Sequence, residues 1–193
     1  MAIEYELKYR ATEEILQDME QLLPGDGQVF QMHTTYYDTP TGQLSARWYT
    51  LRKRLENGTA VCTLKAPAGD RGRGEWEINC DSIEDAVPAL CKLGCPGDLE
   101  DLVKEGLLPV CGAKFTRIAK TVVLPECTVE VALDKGILYG GDKELALCEA
   151  EVELKSGSPE ACAAYAGKLA ALFRLQPEAK SKFRRARMLY LGE

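Results

Sequence analysis

The chain contains one histidine, His33. Imidazole-based acid–base or triad chemistry therefore has a single candidate. Positive charge is not in excess. The net charge is −6, whereas chains that bind nucleic acid are usually basic. No apolar run approaches the ~20 residues that a membrane-spanning helix requires. The start is acidic and alternating, without a basic segment leading into an apolar one, so no signal peptide is expected. Repeats, linkers and low-complexity stretches are missing too. Residues 1–193 are therefore expected to form one domain, long enough to bury a core.

Cysteine, by contrast, is plentiful, with eight residues. Most sit singly among apolar neighbours (Cys62, Cys80, Cys127, Cys148, Cys162), the pattern of free core thiols in a reducing cytosol. A cytoplasmic protein without native disulfides is expected. Cys91 and Cys95 fall four apart in CKLGC, but no second Cys or His pair lies nearby to complete a zinc site.

Hydrophobic periodicity predicts about eight strands and several helices. Residues 3–10 alternate. ATEEILQDMEQLL follows as a helix capped by Thr12, with Ile15, Met19 and Leu22 on one face. A strand near 29–37 ends in the DTPTG turn cluster. Asn57-Gly58 is the favoured two-residue turn between the next two strands. GRGEWEINC is another strand. Ser82 caps a helix that Pro88 is expected to disturb. DLEDLVKEGLL reads as a second short helix. Two strands flank Pro125, and ELALCEAEVELKSG is a long one. Ser158 and Pro159 open a strong helix, and the tail from Pro177 is partly helical. Closing an antiparallel barrel leaves no exposed edge. The expected fold is thus α+β, a closed eight-stranded antiparallel β-barrel with helices packed outside.

Charge follows the strand period. Glu4, Glu6 and Lys8 share a face, as do Arg52 and Arg54, then Arg73, Glu75 and Glu77. Glu130, Ala132 and Asp134 share another, and Glu149, Glu151 and Glu153 another. Each strand taken alone fits an ordinary sheet with its polar face in water. Three glutamates in a row on one face are mutually unfavourable, however. The acids also gather on the first and last strands while Arg and Lys gather on the middle ones. Clustered carboxylates suit Mg2+ or Mn2+. Inward Arg and Lys suit phosphate oxygens. Together they describe a site for a metal-bound polyphosphate, whose chemistry needs little histidine.

The ordered set Glu4-x-Glu6-x-Lys8, Tyr36-Tyr37-Asp38-Thr39, Leu51-Arg52-Lys53-Arg54, Thr63-Leu64-Lys65, Glu75-x-Glu77, Arg117, Val-Ala-Leu-Asp134-Lys-Gly, Glu149-x-Glu151-x-Glu153 and Ser181-Lys182-x-x-Arg185 resembles the CYTH-domain proteins, the triphosphate tunnel metalloenzymes. The resemblance implies an eight-stranded tunnel that binds triphosphate with a divalent metal. It implies that Glu4, Glu6 and Glu153 hold metal. Glu149 and Glu151 would hold a second ion or orient the attacking water. It further implies that Lys8, Arg52, Arg54, Lys65, Arg117 and Lys182 bind substrate, with Arg73 and one of Arg184 and Arg185 as further candidates. Glu75, Glu77 and Asp134 would position the basic residues. The expected activity is metal-dependent triphosphate hydrolysis, with inorganic triphosphate preferred and nucleoside triphosphates next. A class IV adenylate cyclase, a thiamine triphosphatase and a non-catalytic polyphosphate- or nucleotide-binding module remain alternatives. The expected partner is a small-molecule substrate, not nucleic acid or membrane. Monomer and homodimer are both open.

Overall fold

The computed structural model describes the backbone of residues 2–3 and all of residues 5–67 and 73–193. Ten strands and six helices follow in the order β1 (Ala2–Ile3), β2 (Glu6–Arg10), α1 (Glu13–Leu22), β3 (Gln28–Asp38), α2 (Gln43–Ala46), β4 (Thr50–Glu56), β5 (Thr59–Pro67), β6 (Arg73–Asn79), α3 (Ile83–Lys92), α4 (Leu99–Leu102), β7 (Leu108–Val123), β8 (Cys127–Gly140), β9 (Lys143–Gly157), α5 (Pro159–Phe173), β10 (Gln176–Pro177) and α6 (Lys182–Leu191). All strands join one antiparallel sheet in the order β1-β6-β5-β4-β3-β7-β8-β9-β2-β10.

The closed eight-stranded barrel is not what forms. The opening stretch, expected as one strand, is divided. β1 pairs with β6, whereas β2 pairs with β9. The two parts thus serve opposite ends of the hydrogen-bonded order, and among the described residues no ladder returns the sheet on itself. The edge problem that closure would solve is met differently: both outermost strands are two residues long, and short edges offer little template for pairing.

Sequence signals hold where they rest on local chemistry. Thr12, Ser82 and Ser158 each accept the backbone N–H three residues on, which satisfies an otherwise orphaned donor. Asn57 and Gly58 both adopt positive φ, 49° and 89°, as a tight hairpin turn requires. Pro88 does not break α3. An internal proline costs about 3 kcal/mol, but burying Ile83, Val87 and Leu90 returns roughly 1.5–3 kcal/mol each. The expected α1 face is revised: Leu16, Met19 and Leu23 are buried, while Leu22 is exposed. The short helix after α3 shrinks to α4 and a 3-10 turn, Val103–Glu105, because β7 begins already at Leu108.

One face of the sheet carries two apolar layers. α1 and α5 cover β2, β8 and β9 through Met19, Val129, Val131, Val152, Cys162 and Leu169. α3 and α4 cover β4–β6 through Leu51, Leu64, Trp76, Leu90 and Leu99. α6 departs from the expectation that every helix lies outside. Phe183, Ala186 and Leu189 pack on Met32, Tyr36, Phe115, Leu138 and Leu147, residues of the opposite, concave face. All eight cysteines are free thiols. No helix among the described residues is long and apolar enough to cross a membrane.

Candidate active site

The concave face encloses a cavity of about 580 Å3. Strand alternation supplies its charges. Glu6 and Lys8 come from β2, Arg52 and Arg54 from β4, Lys65 from β5, Arg73, Glu75 and Glu77 from β6. Arg117 comes from β7, Glu151 and Glu153 from β9, and Lys182 from α6. The intervening Leu7, Val152 and Leu154 pack in the opposite apolar layer. Glu4 lies outside the described residues.

Register arranges these groups in rows. Glu6 faces Glu153, which faces Glu130. Three carboxylates thus lie abreast on β2, β9 and β8. Lys8 Nζ lies 3.0 Å from Glu6 Oε1, and Lys155 Nζ lies 2.8 Å from Glu153 Oε2. Across the cavity Arg52 approaches Glu75 at 3.7 Å and Lys65 approaches the same oxygen at 3.6 Å. Thr63 donates to Glu77 at 3.0 Å. Arg73 donates to Thr50 Oγ1 at 3.0 Å and to the Trp48 carbonyl at 3.1 Å.

The guanidiniums are crowded. Burial pulls Arg54 below its ordinary value, and the Arg52 and Arg117 charges pull the same way. Arg54 is only partly matched, donating to Thr34 at 3.3 Å and to Glu56 at 3.2 Å. Arg52 Nε is buried with no hydrogen-bond partner. A polyanion would give Arg52 and Arg54 the partners they lack, whereas Arg117 is already held by carboxylates.

Behind one wall lies a second set. Asp134 and Glu149 are fully buried and do not line the cavity. Asp134 takes a bidentate pair from Arg117, at 2.7 Å each. Lys182 Nζ sits 2.8 Å from Asp134 and 2.7 Å from Glu151, and also binds Glu149. Arg117 contacts Glu151, and Arg185 contacts Glu149. Burial would raise the Glu151 carboxyl, but Lys182 and Arg117 overcome it and hold the group well below the usual range. Burial pushes Glu149 up to about 7 against the pull of Lys182 and Arg185.

A family model described as the CYTH domain matches residues 2–186. The chain belongs to the CYTH domain family. This CYTH domain is 33% identical over 128 residues to an inorganic triphosphatase from Haemophilus influenzae, a match covering 64% of the chain and 36% of that protein. An uncharacterised protein from Mycobacterium tuberculosis is 39% identical over 59 residues, 31% of the chain and 12% of that protein. The chain therefore spans about a third or less of the curated relatives it matches. Among solved structures, an adenylyl cyclase candidate from Hippeastrum with a dominant triphosphatase activity superposes with a TM-score of 0.70 at 19% identity, covering 98% of this chain and 96% of that one. An adenylate cyclase candidate from Bacillus halodurans gives 0.61 at 16% identity, covering 95% and 96%. At these identities the likeness is one of fold.

Asp134, Glu149 and Glu151 offer oxygens within 4.8 Å of one another, but the Lys182 ammonium already occupies their midst. Glu149 is fully buried and is not among the residues that line the cavity. Lys182, which also lines the cavity, makes an ion pair with each of the three carboxylates. Arg185 turns to Glu149 and Glu178, not into the cavity, while Arg184 is exposed. Several lining residues carried no sequence signal of their own. Phe30 and Met32 reach the cavity by alternation on β3, and Phe183 because α6 sits on the concave face. Tyr36, part of the Tyr36-Tyr37-Asp38-Thr39 block, lines it too. Glu130 shared a face with Asp134 in the sequence pattern. Its pairing with Glu153 gives it a place in the acid row.

Proposed function

We propose that this CYTH domain hydrolyses a triphosphate, with inorganic triphosphate as the best substrate. The observation that carries the reading is the crowding of Arg52, Arg54 and Arg117 around a cavity whose opposite side bears the Glu6–Glu153–Glu130 row. The unmet capacity of Arg52 and Arg54 fits phosphate oxygens, and arginine matches them in bidentate fashion. An all-oxygen donor set fits a hard divalent ion, Mg2+ or Mn2+. Glu6 and Glu153 would hold it, with Glu4 as the further candidate from the opening motif. When bound, such an ion neutralises charge on the phosphate oxygens.

The protein's own residues do the rest. Arg52, Arg54 and Arg117 hold the chain of phosphates, and Lys8 and Lys65 add charge along the walls. Glu75 fixes Arg52 and Lys65, and Asp134 fixes Arg117. Glu151, kept ionised, accepts a hydrogen bond from the water that attacks a terminal phosphorus. The phosphoanhydride bond breaks, releasing orthophosphate and pyrophosphate. Positioning and charge neutralisation are most of what such a transfer needs, so a single distant histidine is no obstacle.

The test is an assay of purified protein with inorganic triphosphate, ATP and thiamine triphosphate, each with Mg2+ or Mn2+, measuring phosphate, pyrophosphate and cyclic AMP. Fastest phosphate release from inorganic triphosphate, abolished by chelator, is expected. Cyclic AMP as the main product would replace the hydrolase with a cyclase. Tight triphosphate binding without any release would leave a binding module.

A further inference from the structure

β9 carries one more residue than β8 beside the acid row. Val129 pairs with Leu154 and Thr128 with Ser156, so Lys155 is the extra, unpaired residue of a bulge. Lys155 is also the next alternate position after Glu151 and Glu153, so its ammonium reaches the cavity on the same face, 2.8 Å from Glu153 Oε2 and 3.5 Å from Glu130 Oε1. The lysine therefore bridges two members of the row where carboxylates would otherwise repel. Its side chain is 41% exposed, so the ammonium can leave for water by rotating about its own stem. Lys182, by contrast, is enclosed by three carboxylates and has nowhere to go.

We propose that Lys155 is a tethered counter-ion that stands in for the divalent metal and yields its place when the metal binds. The proposal rests on the reading that the acid row holds the metal. It gives Glu130 a role the sequence pattern did not assign: Glu130 holds the lysine in the metal-free protein and turns to the metal once the lysine departs. The lysine keeps the row from repelling itself apart when no ion is present. It also lowers metal affinity, because binding must first break its two ion pairs.

The experiment uses Mn2+ alone, without substrate. Binding is read from the loss of the free-ion electron paramagnetic resonance signal in wild type, Lys155→Met, Glu130→Gln and Lys168→Met. Lys168 is exposed on α5 and controls for net charge. Lys155→Met should tighten Mn2+ binding about three- to tenfold, the scale of two partly exposed ion pairs. Lys168→Met should match wild type, and Glu130→Gln should bind several-fold more weakly. In wild type, Mn2+ should also speed acylation of Lys155 by an amine reagent, followed by mass spectrometry. Unchanged or weaker binding by Lys155→Met, an equal gain in Lys168→Met, or slower acylation with Mn2+ would overturn the proposal while leaving the metal reading intact. Failure of wild type and every variant to bind Mn2+ would remove the metal reading and the proposal together.

Discussion

At the scale of single residues, the decisive distinction lies between two groups of acids that look alike in sequence. Glu149, Glu151 and Glu153 alternate identically along β9, yet Glu149 is fully buried and Glu153 meets the open cavity. Alternation gave the shared face, but depth was not legible, because it depends on α6 covering one end of that face. Lys182 is the residue that separates the groups. Replacing it with Met should cost about 3–5 kcal/mol, since buried carboxylates lose their central cation. Mn2+ should restore part of that loss, because Asp134, Glu149 and Glu151 then present a compact oxygen set. Thermal melting of Lys182→Met with and without Mn2+ checks this, and a melt indifferent to the ion would contradict it. Glu149 carries a pH signature of its own. Its carboxyl is raised from the ordinary 4.5 to about 7, so its contribution to stability is present below about pH 4.5 and lost as pH rises through 7. Glu151 is depressed and acts in the opposite sense: its contribution is present above pH 4.5 and lost on further acidification. Urea midpoints measured between pH 4.5 and 8 should show less decline in Glu149→Gln than in wild type.

At the scale of elements, most strands, the caps and the Asn57-Gly58 turn could be read because each is specified by neighbours in sequence. The division of the first strand and the bulge at Lys155 could not. Both are fixed by which strand lies alongside, and no local pattern encodes that. The inward seat of α6 was hidden for a similar reason. Its arginine-rich sequence resembles a solvated helix, but Phe183, Ala186 and Leu189 dock on apolar positions of β3, β7, β8 and β9 at one end of the concave face. α6 begins at a capping serine: Ser181 accepts the Arg184 N–H at 3.1 Å, and Lys182 and Arg185 lie in the first turn. Ser181→Ala should therefore destabilise the protein by about 1 kcal/mol. It should also loosen the brace on Glu151, lowering kcat for triphosphate more than it raises KM. A stability loss with kinetics unchanged would show that α6 only fills space.

At the scale of the whole molecule, one sheet carries most of its helices on one face and, on the other, a cavity of about 580 Å3 closed at one end by α6. Arginines gather on β4–β7 and the Glu6–Glu153–Glu130 row on β2, β9 and β8, with Lys8 and Lys155 as cations on the acid side and Glu75 and Glu77 as acids on the basic side. This segregation was legible from charge at alternate positions. Which opposing groups meet was not, because it follows from sheet curvature and strand order. The separation predicts different losses from the two sides. Arg52 has an unpartnered Nε in the cavity wall and, on the proposed reading, would touch the anion in ground and transition states alike. Arg52→Ala should weaken triphosphate binding by about 1.5–3 kcal/mol, the worth of a charge-assisted hydrogen bond, with KM rising more than kcat falls. On the same reading Glu153 would act on the anion only through the ion held by the acid row. Glu153→Ala should lower kcat while leaving metal-free triphosphate affinity equal or slightly tighter, since a repelling charge has been removed. Calorimetric binding of triphosphate to both variants, with and without Mg2+, paired with phosphate-release rates, separates the cases. Equal losses of affinity in both variants without metal would mean that the two zones are not functionally distinct.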